Sequence, residues 1–200
     1  MDLDFSSALL RVRGAMVEAT VRSSQRRLTV LQKATCKRKC SGCCRRMVYV
    51  TVAEAVVVQE HLEKSGEWPG VLQKCLSVLN GVRNASPMSW FRMNVACPVL
   101  SDGDDCLAYS VRPATCSVHF ALSDPKLCHP WSTEAGTYEP VELEDVFLDF
   151  QKNLHSSIDA HGILALKLPL PASLIMAERV RHQPDLTPEA LIRLIYNELR

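Results

Sequence analysis

The stretch Cys36-Lys37-Arg38-Lys39-Cys40-Ser41-Gly42-Cys43-Cys44 puts four thiols into nine residues. A thiolate is a soft ligand that suits zinc, iron–sulfur clusters and copper(I) and disfavours magnesium and calcium. The stretch has neither helical nor strand periodicity, so it reads as a loop that other elements must hold in place. Gly42 suits a close backbone approach between ligands. Cys43 and Cys44 are adjacent, and neighbouring side chains point apart in most backbones. Both on one zinc is awkward, whereas a cluster, two separate metals, or one ligand beside one structural thiol is easier.

A second group of thiols lies downstream at Cys97-Pro98, Cys106 and Arg112-Pro113-Ala114-Thr115-Cys116, with Cys128 trailing. Residues 94–130 hold four cysteines, four prolines and the Asp102-Gly103 turn signal. Proline fixes φ and lowers the entropy of ordering such a loop. Thiols spaced this way over two distant loops are a strong metal signal, and the candidate ligands are Cys36, Cys40, Cys43, Cys44, Cys97, Cys106, Cys116 and Cys128. His119 and His129 are possible nitrogen ligands beside them. The ninth cysteine, Cys75, lies on the apolar face of a helical pattern and reads as core. An odd count in a chain expected to be intracellular argues against a disulfide framework.

The order, spacing and flanking residues of Cys36-x3-Cys40-x2-Cys43-Cys44, Val50-Thr51-x2-Glu54-Ala55, Cys97-Pro98-x-Leu100, Cys106-x2-Tyr109-x2-Arg112-Pro113-x2-Cys116 and Cys128 closely resemble the YkgJ-type cysteine-cluster family. The resemblance covers about residues 34–130. It implies a zinc- or iron-chelating domain, related to one found in flagellin lysine N-methylases. It also implies that the metal ligands are drawn from the eight cysteines named above. Ser117 departs from it, since the family often carries Arg after that cysteine. The Cys36–Cys43 spacing also equals the one radical-SAM enzymes use for a 4Fe–4S cluster. That fold needs a βα barrel after the motif, and the residues following Cys44 read helical.

The flanks supply helices. Residues 5–34 form an amphipathic pattern through Leu9, Leu10, Val12, Met16, Val17 and Val21. Met47–Val50 reads as an extended lead-in, and Thr51-Val52-Ala53-Glu54 is a capping box opening a helix to about Lys64. Ser65-Gly66 and Trp68-Pro69-Gly70 should break it. A further helix over 70–83 carries Val71, Leu72, Cys75, Leu76 and Leu79 on one face. Helices are expected over Pro140–Ile158 and Ala172–Arg181, and a last one from Thr187-Pro188 to Leu199. The expected fold is mainly α, a single domain of helices packed around an irregular cysteine-rich metal-binding loop region. Its parts are an N-terminal helix at 1–33, the cysteine-cluster part at 34–130, and a helical part of the same globule at 131–200.

Two hundred residues with 47% hydrophobic and 22% charged composition suffice for one cored domain. No apolar run approaches the ~20 residues of a membrane span. The sequence opens acidic, Met1-Asp2-Leu3-Asp4, where a signal peptide is basic, so a cytoplasmic location is expected. A net charge of +1 excludes binding by bulk charge. Locally, Arg26–Arg46 holds eight Lys or Arg and no acid, while Glu134–Asp149 holds six acids and no Lys or Arg. The basic run fits charge compensation for thiolates better than a nucleic-acid surface, since no aromatic residue interleaves it. The acidic run reads as a solvated helix face, or as a surface for a protein partner. Arg112 could donate to a metal-bound sulfur. No nucleotide-cradling glycine motif is present, and catalysis is not indicated. The expected function is metal binding, of zinc or an iron–sulfur cluster (4Fe–4S), for a structural, redox or metal-handling purpose. Alternatives are a metal-dependent protein-modifying enzyme of the lysine N-methylase kind and a protein or nucleic-acid adaptor stapled by metal.

Overall fold

A computed structural model describes residues 5–29, 34–37, 39–82, 85–129, 132, 138–158 and 164–182. Seven helices dominate it: α1 (Phe5–Thr29), α2 (Val52–Lys64), α3 (Trp68–Gly81), α4 (Pro87–Arg92), α5 (Ala114–Val118), α6 (Glu144–Ile158) and α7 (Leu170–His182). The strands are short: β1 (Tyr49–Thr51), β2 (His119–Ala121), β3 (Pro140–Glu142) and β4 (Lys167–Pro169). The protein is mainly α, as its helical periodicity predicts. The helix expected from Thr187 to Leu199 lies outside the described residues.

The centre is the pair α2 and α7. Every residue from Val52 to Gln59 is buried, and so is every residue from Leu170 to Ala177. One device starts both helices. β1 and β4 pair antiparallel with Val50 opposite Leu168, immediately before each helix begins. The orphan N–H groups at the head of α2 are then satisfied across this ribbon. Val52 N donates to Leu166 O (3.0 Å), Ala53 N to Leu164 O (3.1 Å) and Glu54 N to Thr51 Oγ1 (3.2 Å). The capping box is complete, with the Glu54 carboxylate accepting from Thr51 N. Ser173 Oγ on α7 closes the ribbon by donating to Val50 O and Leu168 O.

Helix α1 packs on α6, α2 and α5, with Val12 and Met16 of the predicted stripe buried and the rest of the buried face made of small residues. The buried stripe is Ala8, Val12, Ala15, Met16, Ala19 and Ser23, while Leu10, Val17 and Val21 are exposed. Small residues bring the helix axis close to the core. Ion pairs then fix its outer edge: Arg22 to Asp149 (2.9 Å) and Arg26 to Asp145 (2.7 Å) on α6, and Arg13 to Glu60 on α2. Part of the acidic run is thereby paired with a member of the basic run inside the molecule.

Three local readings change. Gly66 does end the preceding helix, with φ of +76°. Trp68-Pro69-Gly70, however, opens α3, because Pro in a first turn loses no hydrogen bond. Pro140–Glu142 is strand rather than helix and pairs with β2. Helix α4 has no apolar stripe to announce it. Its signal is local: Ser86 caps it, accepting from Ser89 N, and Pro87 follows. No helix among the described residues is long and apolar enough to cross a membrane.

Candidate metal centre

Short backbone links bring the two cysteine groups together. Thr35 N donates to Ala121 O (3.0 Å), and Ala121 N donates back to the Cys36 sulfur (3.1 Å), so the first loop is stitched to the end of β2. A turn follows, with Lys39 at φ +68° and Cys40 N bonded to Lys37 O. Gly42–Arg45 then forms a 3₁₀ turn carrying Cys43 and Cys44. Cys97 N donates to Cys44 O (2.7 Å), which ties the second group to the first. The chain from Cys97 to Leu107 doubles back with Leu100 opposite Cys106, through a turn holding Asp104 at φ +60°. Cys116 lies in α5, its N–H donating to Pro113 O (2.9 Å).

Helix α5 is itself held by Glu54. The capping-box carboxylate also accepts from Ala114 N (3.1 Å), sixty residues away in sequence. Glu54 is buried, and burial raises its carboxyl above the ordinary range, while the Thr51 and Ala114 donors pull it back. One carboxylate therefore starts α2 and positions the segment that presents Cys116.

The result is a cavity of about 270 Å³. Cys36, Cys40, Cys43, Cys44, Cys97, Cys106 and Cys116 all line it. Cys128 stands just behind, at the end of a further 3₁₀ turn. A Cβ on Gly42 would lie 2.5 Å from the Cys128 Cβ, so only glycine admits this approach. Gly42 is needed as its position in the motif suggests, though the neighbour is Cys128 and not its own loop. Cys75 is fully buried in α3 and does not line the cavity. Among the described residues, no three His, Cys, Asp or Glu side chains are gathered as a ready-made site for a metal ion. The thiols border a common space instead.

Their protonation follows from burial and from each other. The Cys36 thiol donates to Cys40, which raises Cys36 and is the largest cause bringing Cys40 down to about 6. Cys44 donates to Cys43 in the same way; Cys43 is lowered, with help from the Arg112 charge, and Cys44 is raised. The adjacent pair thus meets over the cavity rather than pointing apart, because the tight 3₁₀ turn leaves both side chains on one side. Burial raises Cys97 to about 12 and Cys128 to about 11, and lifts Cys106 and Cys116 as well. Arg112 opposes that rise at Cys106 and Cys116. Its guanidinium lies 4.4 Å from the centre of the Tyr109 ring, and its Nε is buried with no hydrogen-bond partner among the described residues.

The histidines fare differently. Both ring nitrogens of His119 are taken, Nε2 by Tyr138 Oη (2.7 Å) and Nδ1 by Glu142 Oε1 (3.4 Å). His129 lies beside Cys40, which its charge helps to lower. Ser117 is fully buried under α1, its hydroxyl 3.0 Å from that of Thr20. An arginine there would place an unpaired charge in that buried setting. Arg46 is a cavity residue that the sequence pattern does not single out. Its aromatic neighbours are Phe91 and Tyr138, both remote in sequence.

Comparison with models of protein families, with curated proteins and with solved structures returned no match in any of the three.

Proposed function

We propose that this chain is a metal-binding protein whose cavity thiols hold a thiolate-bound group, an iron–sulfur cluster in preference to a single zinc. The observation that carries the reading is seven thiols from distant parts of the chain lining one cavity. A mononuclear zinc site needs four donors. Seven lining one space suit a larger group or ligand exchange better. The chemistry of the donors fits: two thiols, Cys40 and Cys43, are already drawn toward the thiolate form that binds metal. The Arg112 charge favours the thiolate form at Cys43, Cys106 and Cys116. The resemblance to the YkgJ-type family belongs to this proposal and supports the same donor set.

When bound, an iron–sulfur group supplies one-electron chemistry or a structural cross-link. The protein's own part is to collect the sulfurs, shed their protons and exclude water. Cys97, Cys106 and Cys116 hold their protons in the free chain, so binding releases them and tightens as pH rises.

The test is substitution with metal analysis on protein purified without oxygen. Cys43→Ala and Cys116→Ala should each lower bound metal to below half of wild type, while Cys75→Ala leaves it unchanged. Equal metal content in all four proteins would overturn the reading.

A further inference from the structure

Arg46 faces a different wall of the same cavity from Arg112. Its guanidinium carbon lies 4.6 Å from the Tyr138 ring centre and 5.3 Å from that of Phe91. Stacking on aromatic faces leaves the in-plane N–H edge as the direction open to partners. The Nε is buried and has no hydrogen-bond partner among the described residues. No carboxylate among the described residues pairs with the group. Glu142, the acid on that wall, is turned to His119, whose other nitrogen is bonded to Tyr138. A buried charged donor without an acceptor is costly, more so than a neutral one.

The rest of the lining repeats the imbalance. Lys37, Lys39, Arg46 and Arg112 face the cavity against only Asp104 and Glu142. Arg112 bears on Cys43, Cys106 and Cys116, whereas Arg46 bears on Cys128, His119 and Tyr138. Arg112 therefore offsets charge on Cys43, Cys106 and Cys116, and Arg46 brings a second positive charge to the cavity lining. A flat guanidinium presents a fork that matches two oxygens of one planar group.

We infer that Arg46 anchors a subsite for a small oxyanion, a carboxylate by preference, on the cavity wall it shares with His119. The subsite stands on the stacked guanidinium and does not require the metal reading. The cavity of about 270 Å³ limits the ligand to the size of a small metabolite. Bound there, the carboxylate lies in the same enclosed space as the thiols, within reach of whatever they hold.

Isothermal titration of the whole chain, purified without oxygen, tests this with succinate and with inorganic phosphate at constant ionic strength. Saturable one-to-one binding of succinate is expected. Arg46→Gln should weaken it at least tenfold with bound metal unchanged. Arg46→Lys, which keeps the charge but not the fork, should weaken it less and guards against a folding defect. Saturable binding of phosphate alone, lost in Arg46→Gln, would support the oxyanion site and overturn the preference for carboxylate. No saturable binding of either, or equal binding by Arg46→Gln, would overturn the inference. Metal assayed on the same samples keeps the two proposals apart: a metal-free chain that still binds succinate refutes the metal reading alone.

Discussion

Replacing Glu54 with alanine should damage the protein at two places at once. The carboxylate accepts from Thr51 N (2.9 Å), Thr51 Oγ1 (2.9 Å) and Ala114 N (3.1 Å) in a fully enclosed setting. Thr51 Oγ1 still caps Glu54's own backbone N–H after the change, so the helix keeps part of its cap. Two buried backbone donors, at Thr51 and Ala114, lose their acceptor. Each costs about 1–3 kcal/mol, and the lost half of the capping box and the small void add to that. The sum is about 3–7 kcal/mol, a large part of the roughly 5–15 kcal/mol that holds a domain together. Urea unfolding followed by circular dichroism measures it as a fall in the midpoint. The loss of the Ala114 bond should also loosen α5, so bound metal should fall even under conditions where the variant remains folded. A cost below about 1 kcal/mol, with metal content intact, would refute the claim that one carboxylate joins α2 to the Cys116 segment.

The same group sets a pH dependence: burial raises the folded-state pKa of Glu54, so its contribution to stability is fully present below the ordinary carboxyl range and is lost as pH rises through the raised value. Glu54→Gln should flatten that part of the stability–pH curve, read by urea midpoints taken across the acid range. Gly42→Ala should push the 3₁₀ turn away from Cys128, because the new Cβ would stand 2.5 Å from the Cys128 Cβ and 3.3 Å from its carbonyl carbon. A loss of about 1–3 kcal/mol is expected, with faster proteolysis near residue 128 than in wild type. Ser117→Arg should be worse, since it forces an unpaired charge under α1 where Ser117 is fully buried; at least about 3 kcal/mol is expected, seen as a large fall in soluble yield and thermal midpoint.

How much of this could be read from the residues differs from one element to the next. Thr51 and Glu54 announce α2 because a capping box is a local device, complete within four residues. Helix α1 is plain as a helix, but its buried side only in part: Val12 and Met16 are buried as their spacing predicts, Ala8, Ala15 and Ala19 join them, and Leu10, Val17 and Val21 stay outside. Size marks the apolar face only when the neighbouring helix is distant enough to need filling. The β1–β4 ribbon pairs Val50 with Leu168, and no local pattern marks three-residue strands so far apart. Within the site, the cysteines are legible because thiols have few other reasons to cluster. The role of Arg46 is not, because it depends on Phe91 and Tyr138 arriving from remote parts of the chain. The second duty of Glu54 is hidden for the same reason: Ala114 gives no sign in the sequence that its N–H needs an acceptor.

The central claim is that the cavity thiols hold a metal group. Its most direct test is to purify the chain without oxygen, record the visible absorption spectrum, and assay iron, acid-labile sulfide and zinc on the same sample. A brown protein with a broad band near ~400 nm and iron matched by sulfide is expected. Colourless protein with stoichiometric zinc would keep the thiolate site and overturn the cluster. Protein free of both metals, with its thiols open to alkylation, would contradict the account.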